Sequence, residues 1–155
     1  MATTSRVPAA VDALLSILRA TPALSEVRIV DGPTAVNLTE RRIIYIGWQP
    51  SGENAVSLQQ DFNAAGARTR DEYFVIAGYV ESRSGDKDIA IHRTRVFEIL
   101  AAVEDALRAT EAEPEAPTLN GTVLWAHLTA GDLFQQQSDG TIAGLNFSVS
   151  CRARI

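Results

Sequence analysis

The fifteen residues from Thr141 to Ile155 constrain the fold more than any other part of the chain. Leu145, Phe147, Val149, Cys151, Ala153 and Ile155 alternate with Asn146, Ser148, Ser150, Arg152 and Arg154. Successive side chains of a strand point to opposite faces, so this alternation specifies a strand with one apolar and one polar face. The strand is expected to run to the last residue and to tie the C-terminus into a sheet.

Ahead of it, Asp139-Gly140 separates two strand-like runs, a strong hairpin signal. The partner arm is read as Asp132–Gln137, with a further strand at Thr122–Leu128. Earlier strands are expected at Glu26–Val30, Arg42–Trp48 and Glu72–Glu81. The last of these is apolar on both sides, with Tyr73, Val75, Ala77 and Tyr79 facing one way and Phe74, Ile76 and Val80 the other. Such a strand belongs at the centre of its sheet or in a subunit contact. The polar stretch Ala55–Thr69 has weak periodicity and reads as mostly irregular.

Two segments have helical spacing. Pro8 opens the first, a favourable place for a ring without an N–H, and Val7, Val11, Leu14, Leu15 and Leu18 form its stripe before Thr21-Pro22 ends it. The second runs from about Lys87 to Thr110, with Val96, Ile99, Leu100, Val103 and Leu107 on one side. Glu111–Pro117 is an acidic, proline-broken linker, too short to separate two domains. The chain is therefore read as one α+β domain, residues 1–155. A mostly antiparallel sheet of about five to six strands packs against two main helices and ends in a C-terminal β-hairpin. Leu14, Leu15, Leu18, Val96, Leu100, Val103, Phe147, Val149 and Cys151 are the expected core.

Chemistry-bearing motifs are sparse. The two histidines, His92 and His127, lack Cys or carboxylate partners at ligand spacing, so no metal is expected. There is no Gly-x-Ser-x-Gly elbow, no phosphate-cradling glycine spacing and no convincing Cys–His pair, so neither catalytic residues nor a cofactor are expected. Cys151 sits on the apolar face of its strand and reads as a buried thiol. Met1–Pro8 lacks the pattern of a secretory leader, and the apolar runs are too short to cross a bilayer. A net charge of −5 argues against wrapping nucleic acid through its phosphates. Lys87 is the one lysine beside thirteen arginines. Codon bias in a G+C-rich genome and the preference of interfaces for arginine both account for that imbalance.

Two aromatic residues stand where a core does not obviously need them. Trp48 ends a strand beside a loop, and Phe134 interrupts the polar arm Asp132–Gln137. Both are expected to cap the core or to anchor an interface. On the interface reading, Asp132 and Gln136 lie on an arm that lends its edge to a partner, and Arg68, Arg70, Arg152 and Arg154 pair with carboxylates of a neighbour.

The element order resembles that of the tail terminator proteins of long-tailed, siphovirus-like bacteriophages. The pieces that carry the resemblance are Val11–Leu15 in the first helix, Arg95–Leu100 in the second, Thr122–Ala126, and the end Leu145–Ile155. These are patterns of size and order rather than a signature motif. The resemblance implies a non-enzymatic, hexameric structural ring that caps the tail tube, ends its polymerisation and joins the head connector. The implied partners are the protein itself, the tail tube protein and the head connector or stopper protein, with DNA passing through unbound and no membrane contact. It implies residence at the tail–head junction of the virion, and in the host cytoplasm during assembly. Residues Gly66–Asp71 match no part of that pattern. Two alternatives stay open: another ring of the neck and, from a different class, a small-molecule-binding α+β domain or an enzyme.

Overall fold

The computed structural model describes residues 4–33, 39–50, 52, 54–66, 68–85, 88–108, 116–137 and 140–155. Among them, helix α1 (Val7–Ala20) is followed by strands β1 (Arg28–Asp31), β2 (Arg42–Ile46), β3 (Val56–Phe62) and β4 (Arg70–Ser84). Helix α2 (Ile89–Leu107) and strands β5 (Trp125–Gln136) and β6 (Thr141–Arg154) complete an α+β fold. The C-terminal hairpin is β5–β6; Asp139 of its expected Asp139-Gly140 turn lies outside the described residues.

β4 organises the sheet because it is long. Along one edge, β3 pairs with Arg70–Ile76 and β2 with Gly78–Ser82; the other edge takes β6 from Asp71 to Ser84. β5 lies outside β6 and β1 outside β2, giving the order β1-β2-β4-β6-β5 with β3 beside β4. The β1–β2 pair is parallel and the others are antiparallel. Ile155 continues the last strand, its N–H donating to the Arg70 carbonyl at 3.0 Å.

Both helices contribute to one buried cluster on one side of the sheet. Leu14, Leu15 and Leu18 of α1 and Val96, Leu100 and Val103 of α2 join Ile44, Ile46, Phe74, Ile76 and Val80 there. Leu145, Phe147, Val149, Cys151 and Ala153, the apolar set of the alternating strand, complete it. Each large aliphatic or aromatic side chain buried this way contributes roughly 1.5–3 kcal/mol. All nine expected core residues are buried.

The ends of the helices are fixed by side chains. Asp88 caps α2, its carboxylate accepting from the Ile91 N–H at 3.4 Å. The expected start at Lys87 and end at Thr110 lie outside the described residues. At the end of α1, the Thr21 hydroxyl donates to the Ile17 carbonyl at 2.7 Å, and Pro22 cannot continue the helix. At its start, Glu72 of β4 is fully buried; its carboxylate accepts from the Arg6 N–H at 2.8 Å and the Gln60 amide at 2.6 Å. A buried carboxylate is tolerated there because orphan N–H groups and the positive end of the helix dipole face it. Glu72→Ala is expected to cost about 1–3 kcal/mol in chemical denaturation, because both donors lose their acceptor. A loss indistinguishable from zero would mean that α1 is docked by apolar contacts alone.

Three expectations need correction. The stretch read as irregular contains β3, whose burial is slight along its whole length. With no face in the core, nothing forces apolar alternation on Val-Ser-Leu-Gln-Gln-Asp-Phe, and the strand is held by its backbone ladder to β4. The strands expected at Thr122–Leu128 and Asp132–Gln137 are one strand, β5, interrupted by a bulge between Ala130 and Leu133. The first strand begins at Arg28 rather than Glu26, after a turn stabilised by the bond from the Val27 N–H to the Leu24 carbonyl at 3.1 Å.

Candidate functional site

The face of the sheet away from the helices carries the residues of interest. Strand register builds it in rows that cross the sheet. One row runs Tyr45, Tyr79, Asn146 across β2, β4 and β6; the next runs Ile43, Glu81, Gly144, Phe134 and reaches β5. The bulge decides which residue of β5 joins this face. Before it, Ala126, Leu128 and Ala130 pair with Cys151, Val149 and Phe147, which belong to the core face. After the extra residue the phase is inverted, Leu133 opposes Leu145, and Phe134 turns outward opposite Gly144.

These rows carry an open groove of about 390 Å³, lined by Tyr45, Trp48, Tyr79, Glu81, Phe134 and Gln136 together with Pro50, Ile142 and Asn146. Trp48 tilts against Tyr45 with ring centroids 4.9 Å apart and meets Tyr79 edge-on at 5.9 Å; Tyr45 and Tyr79 stack at 6.0 Å. Gln49, beside Trp48, donates its amide to the carbonyls of Phe147 at 2.8 Å and Gly78 at 3.1 Å, pinning the loop onto the sheet. Gly144 makes the groove possible, since a Cβ there would collide with the Tyr79 phenol.

Glu81 gives this aromatic groove its charge. Burial pushes its carboxyl above the usual range, although the Arg83 guanidinium and the Tyr79 phenol both favour the ionised form. Arg83, two residues along β4, is not among the lining residues and bonds the Glu40 carbonyl at 3.4 Å. The Tyr79 phenol is raised well above its ordinary value, first by burial and then by Glu81 and Tyr45. Both Tyr79 and the carboxylate therefore lie where water is partly excluded.

The structure thus brings together three of the residues singled out in the sequence: Trp48, Phe134 and Gln136. Phe134 is 54% exposed, which suits an anchor more than a core cap. Asp132 is exposed within the bulge. The other candidates lie elsewhere. Arg68 is exposed in the turn between β3 and β4. Arg70 bonds the Gln60 side chain at 3.2 Å and lies 5.8 Å from the centre of the Phe62 ring. Arg152 and Arg154 pair within the chain, donating to Asp71 at 3.0 and 2.8 Å. Arg152 also lies 5.4 Å from the centre of the Tyr73 ring. Tyr45, Tyr79, Glu81 and Gly144 were missed from sequence. Their signal is the pairing register, which joins residues up to a hundred positions apart.

Asp71 is held below its ordinary carboxylate range by Arg154 first and Arg152 second. A depressed folded-state pKa means that this cluster contributes above the unfolded value and is lost as pH falls through the folded one. NMR titration is expected to place the Asp71 midpoint below the ordinary range of an aspartate, with Arg154→Gln moving it upward. An unmoved midpoint would assign the depression to another cause.

Elsewhere, the ring nitrogens of His92 lie 2.9 Å from the hydroxyls of Ser82 and Ser84, joining the first turn of α2 to β4. Burial raises the Cys151 thiol to about 12. Its alkylation in the folded protein is expected to be slow at neutral pH, since the thiolate is the reactive form; rapid labelling would contradict its place in the core.

Among the described residues, no group of three or more His, Cys, Asp or Glu side chains lies close enough to hold a metal ion. Nor, among them, is any helix long and apolar enough to cross a membrane. The fold and the groove define an α+β protein with a helix-covered and an open sheet face. No protein-family model matches the chain, and no curated protein matches it.

Proposed function

We propose that the chain is a structural, non-enzymatic virion protein that works by assembling through the open face of its sheet. In this reading it is a tail terminator: a hexameric ring that caps the tail tube of a long-tailed phage, stops its growth and receives the head connector. The observation that supports assembly best is the groove itself. It places exposed Phe134 and half-buried Trp48 on one apolar patch beside a strand, β5, whose outer edge pairs with no described strand. Aromatic anchors and an open strand edge are what subunit contacts use. The choice of a tail terminator over other assemblies rests on the resemblance in element order.

The charge fits the same role. A hexamer multiplies the subunit's −5 sixfold. A negative lumen would let DNA pass without adhering, since binding through phosphates needs a basic surface. Partners are then further copies of the chain, the tail tube protein and the head connector protein, and no cofactor enters.

Loss of the protein during phage assembly is expected to give overlong tails without joined heads. Tails of normal length on complete particles would exclude the terminator role. A stalled tail of normal length would favour another ring of the neck. The alternative of a small-molecule-binding domain has one observation in its favour, that the groove contains a partly buried carboxylate.

A further inference from the structure

We propose that the groove is a receptor for an arginine side chain, and that the arginine comes from a second copy of this chain. The inference rests on the open face being an assembly surface, but not on which ring the assembly forms.

Chemistry selects the ligand. The groove offers the rings of Tyr45 and Trp48, backed by the largely buried ring of Tyr79, a fourth and exposed ring from Phe134, and one carboxylate, Glu81. Aromatic faces attract cations, and tryptophan does so best. A flat guanidinium stacks on such rings while its N–H fork meets a carboxylate bidentately; an ammonium is attracted to both but as a point charge, with neither the planar stack nor the fork. The amide oxygen of Asn146, also in the lining, can accept from the remaining N–H groups. An anionic ligand would meet Glu81, and a purely apolar one would cover the carboxylate further while adding nothing to the partial help of Arg83 and Tyr79.

The cost that Glu81 bears in the isolated subunit supports the same conclusion. Burial outweighs the help it receives from Arg83 and Tyr79, so an arriving cation removes a penalty already present. The occupant follows from composition. Thirteen of the fourteen basic residues of the chain are arginines, so a neighbouring copy approaches with guanidinium groups almost exclusively. Receiving the arginine of one neighbour while offering one's own to the next is a head-to-tail contact, the kind that closes rings.

The test is a titration of the full chain with N-acetyl-arginine amide, following the indole N–H signal of Trp48 by NMR, beside a mass measurement of the assembled protein. Saturable shifts are expected, with binding about fivefold or more weaker for the lysine analogue and absent for the glutamine analogue. Glu81→Gln should reduce arginine binding about tenfold and lower the assembled mass, while circular dichroism stays that of the parent. Excess arginine amide should dissociate assemblies of the unmutated protein.

Equal response to all three analogues, or none, would overturn the receptor. Assemblies of full mass from Glu81→Gln would overturn it too, while leaving the ring reading intact. Selective arginine binding by a chain that never self-associates would overturn the second copy as donor, and with it the ring.

Discussion

Replacing Phe147 by alanine is expected to cost about 3–5 kcal/mol, a large part of the roughly 5–15 kcal/mol that holds a domain of this kind together. Phe147 is 1% exposed and lies on β6 in the middle of the core face. Its ring lies across Gly78 on the neighbouring strand, where an added Cβ would fall inside the ring's van der Waals envelope. Gly78→Ala should therefore also destabilise, by about 1–3 kcal/mol, through overpacking. The two effects share one cause and should not add. In the double variant, the alanine methyl at 78 occupies space that the lost ring has vacated. Urea denaturation of the four proteins measures the coupling. A double variant as unstable as the summed singles would mean that ring and glycine do not constrain one another.

Phe134→Ser is expected to have the largest effect on function and little on the fold. The ring is 54% exposed in the subunit, so its removal opens no cavity. At an interface, a central aromatic anchor is worth about 2 kcal/mol or more, which is roughly thirtyfold or more in affinity at each contact. In the proposed ring that loss recurs at every contact, so any assembly of the unmutated chain should disappear in the variant at the same concentration. The variant should keep the parent's denaturation midpoint. Preserved assembly would remove the β5 arm from the interface; a collapsed midpoint would instead make Phe134 a core residue.

How far the sequence discloses this protein follows from where burial imposes a pattern. β6 is legible to the residue because one of its faces is in the core and its period is two. The stripes of α1 and α2 are legible for the same reason at helical spacing. β3 is not, since neither of its faces is buried and its polar residues carry no period. The bulge in β5 is also hidden, because one extra residue changes the phase without changing composition. That phase change is what turns Phe134 outward. Phe134 and Trp48 could be singled out as misplaced aromatics, but their meeting in one groove depends on the register of four strands. Glu81, at the end of an apolar strand, reads in sequence as a strand terminus; β4 in fact continues to Ser84, which places the carboxylate inside the groove. Glu72, where the same expected strand began, is buried because α1 returns to rest its N-terminus on it.

The central claim is that this chain works as a subunit of a ring built through the open face of its sheet. Electron microscopy of the particle that contains it tests that claim most directly. The predicted image is a closed ring of this chain between the tail tube and the head connector, with Trp48 and Phe134 buried at the contact between copies. A particle without this chain at that junction, or a ring whose aromatic groove faces solvent, would contradict it.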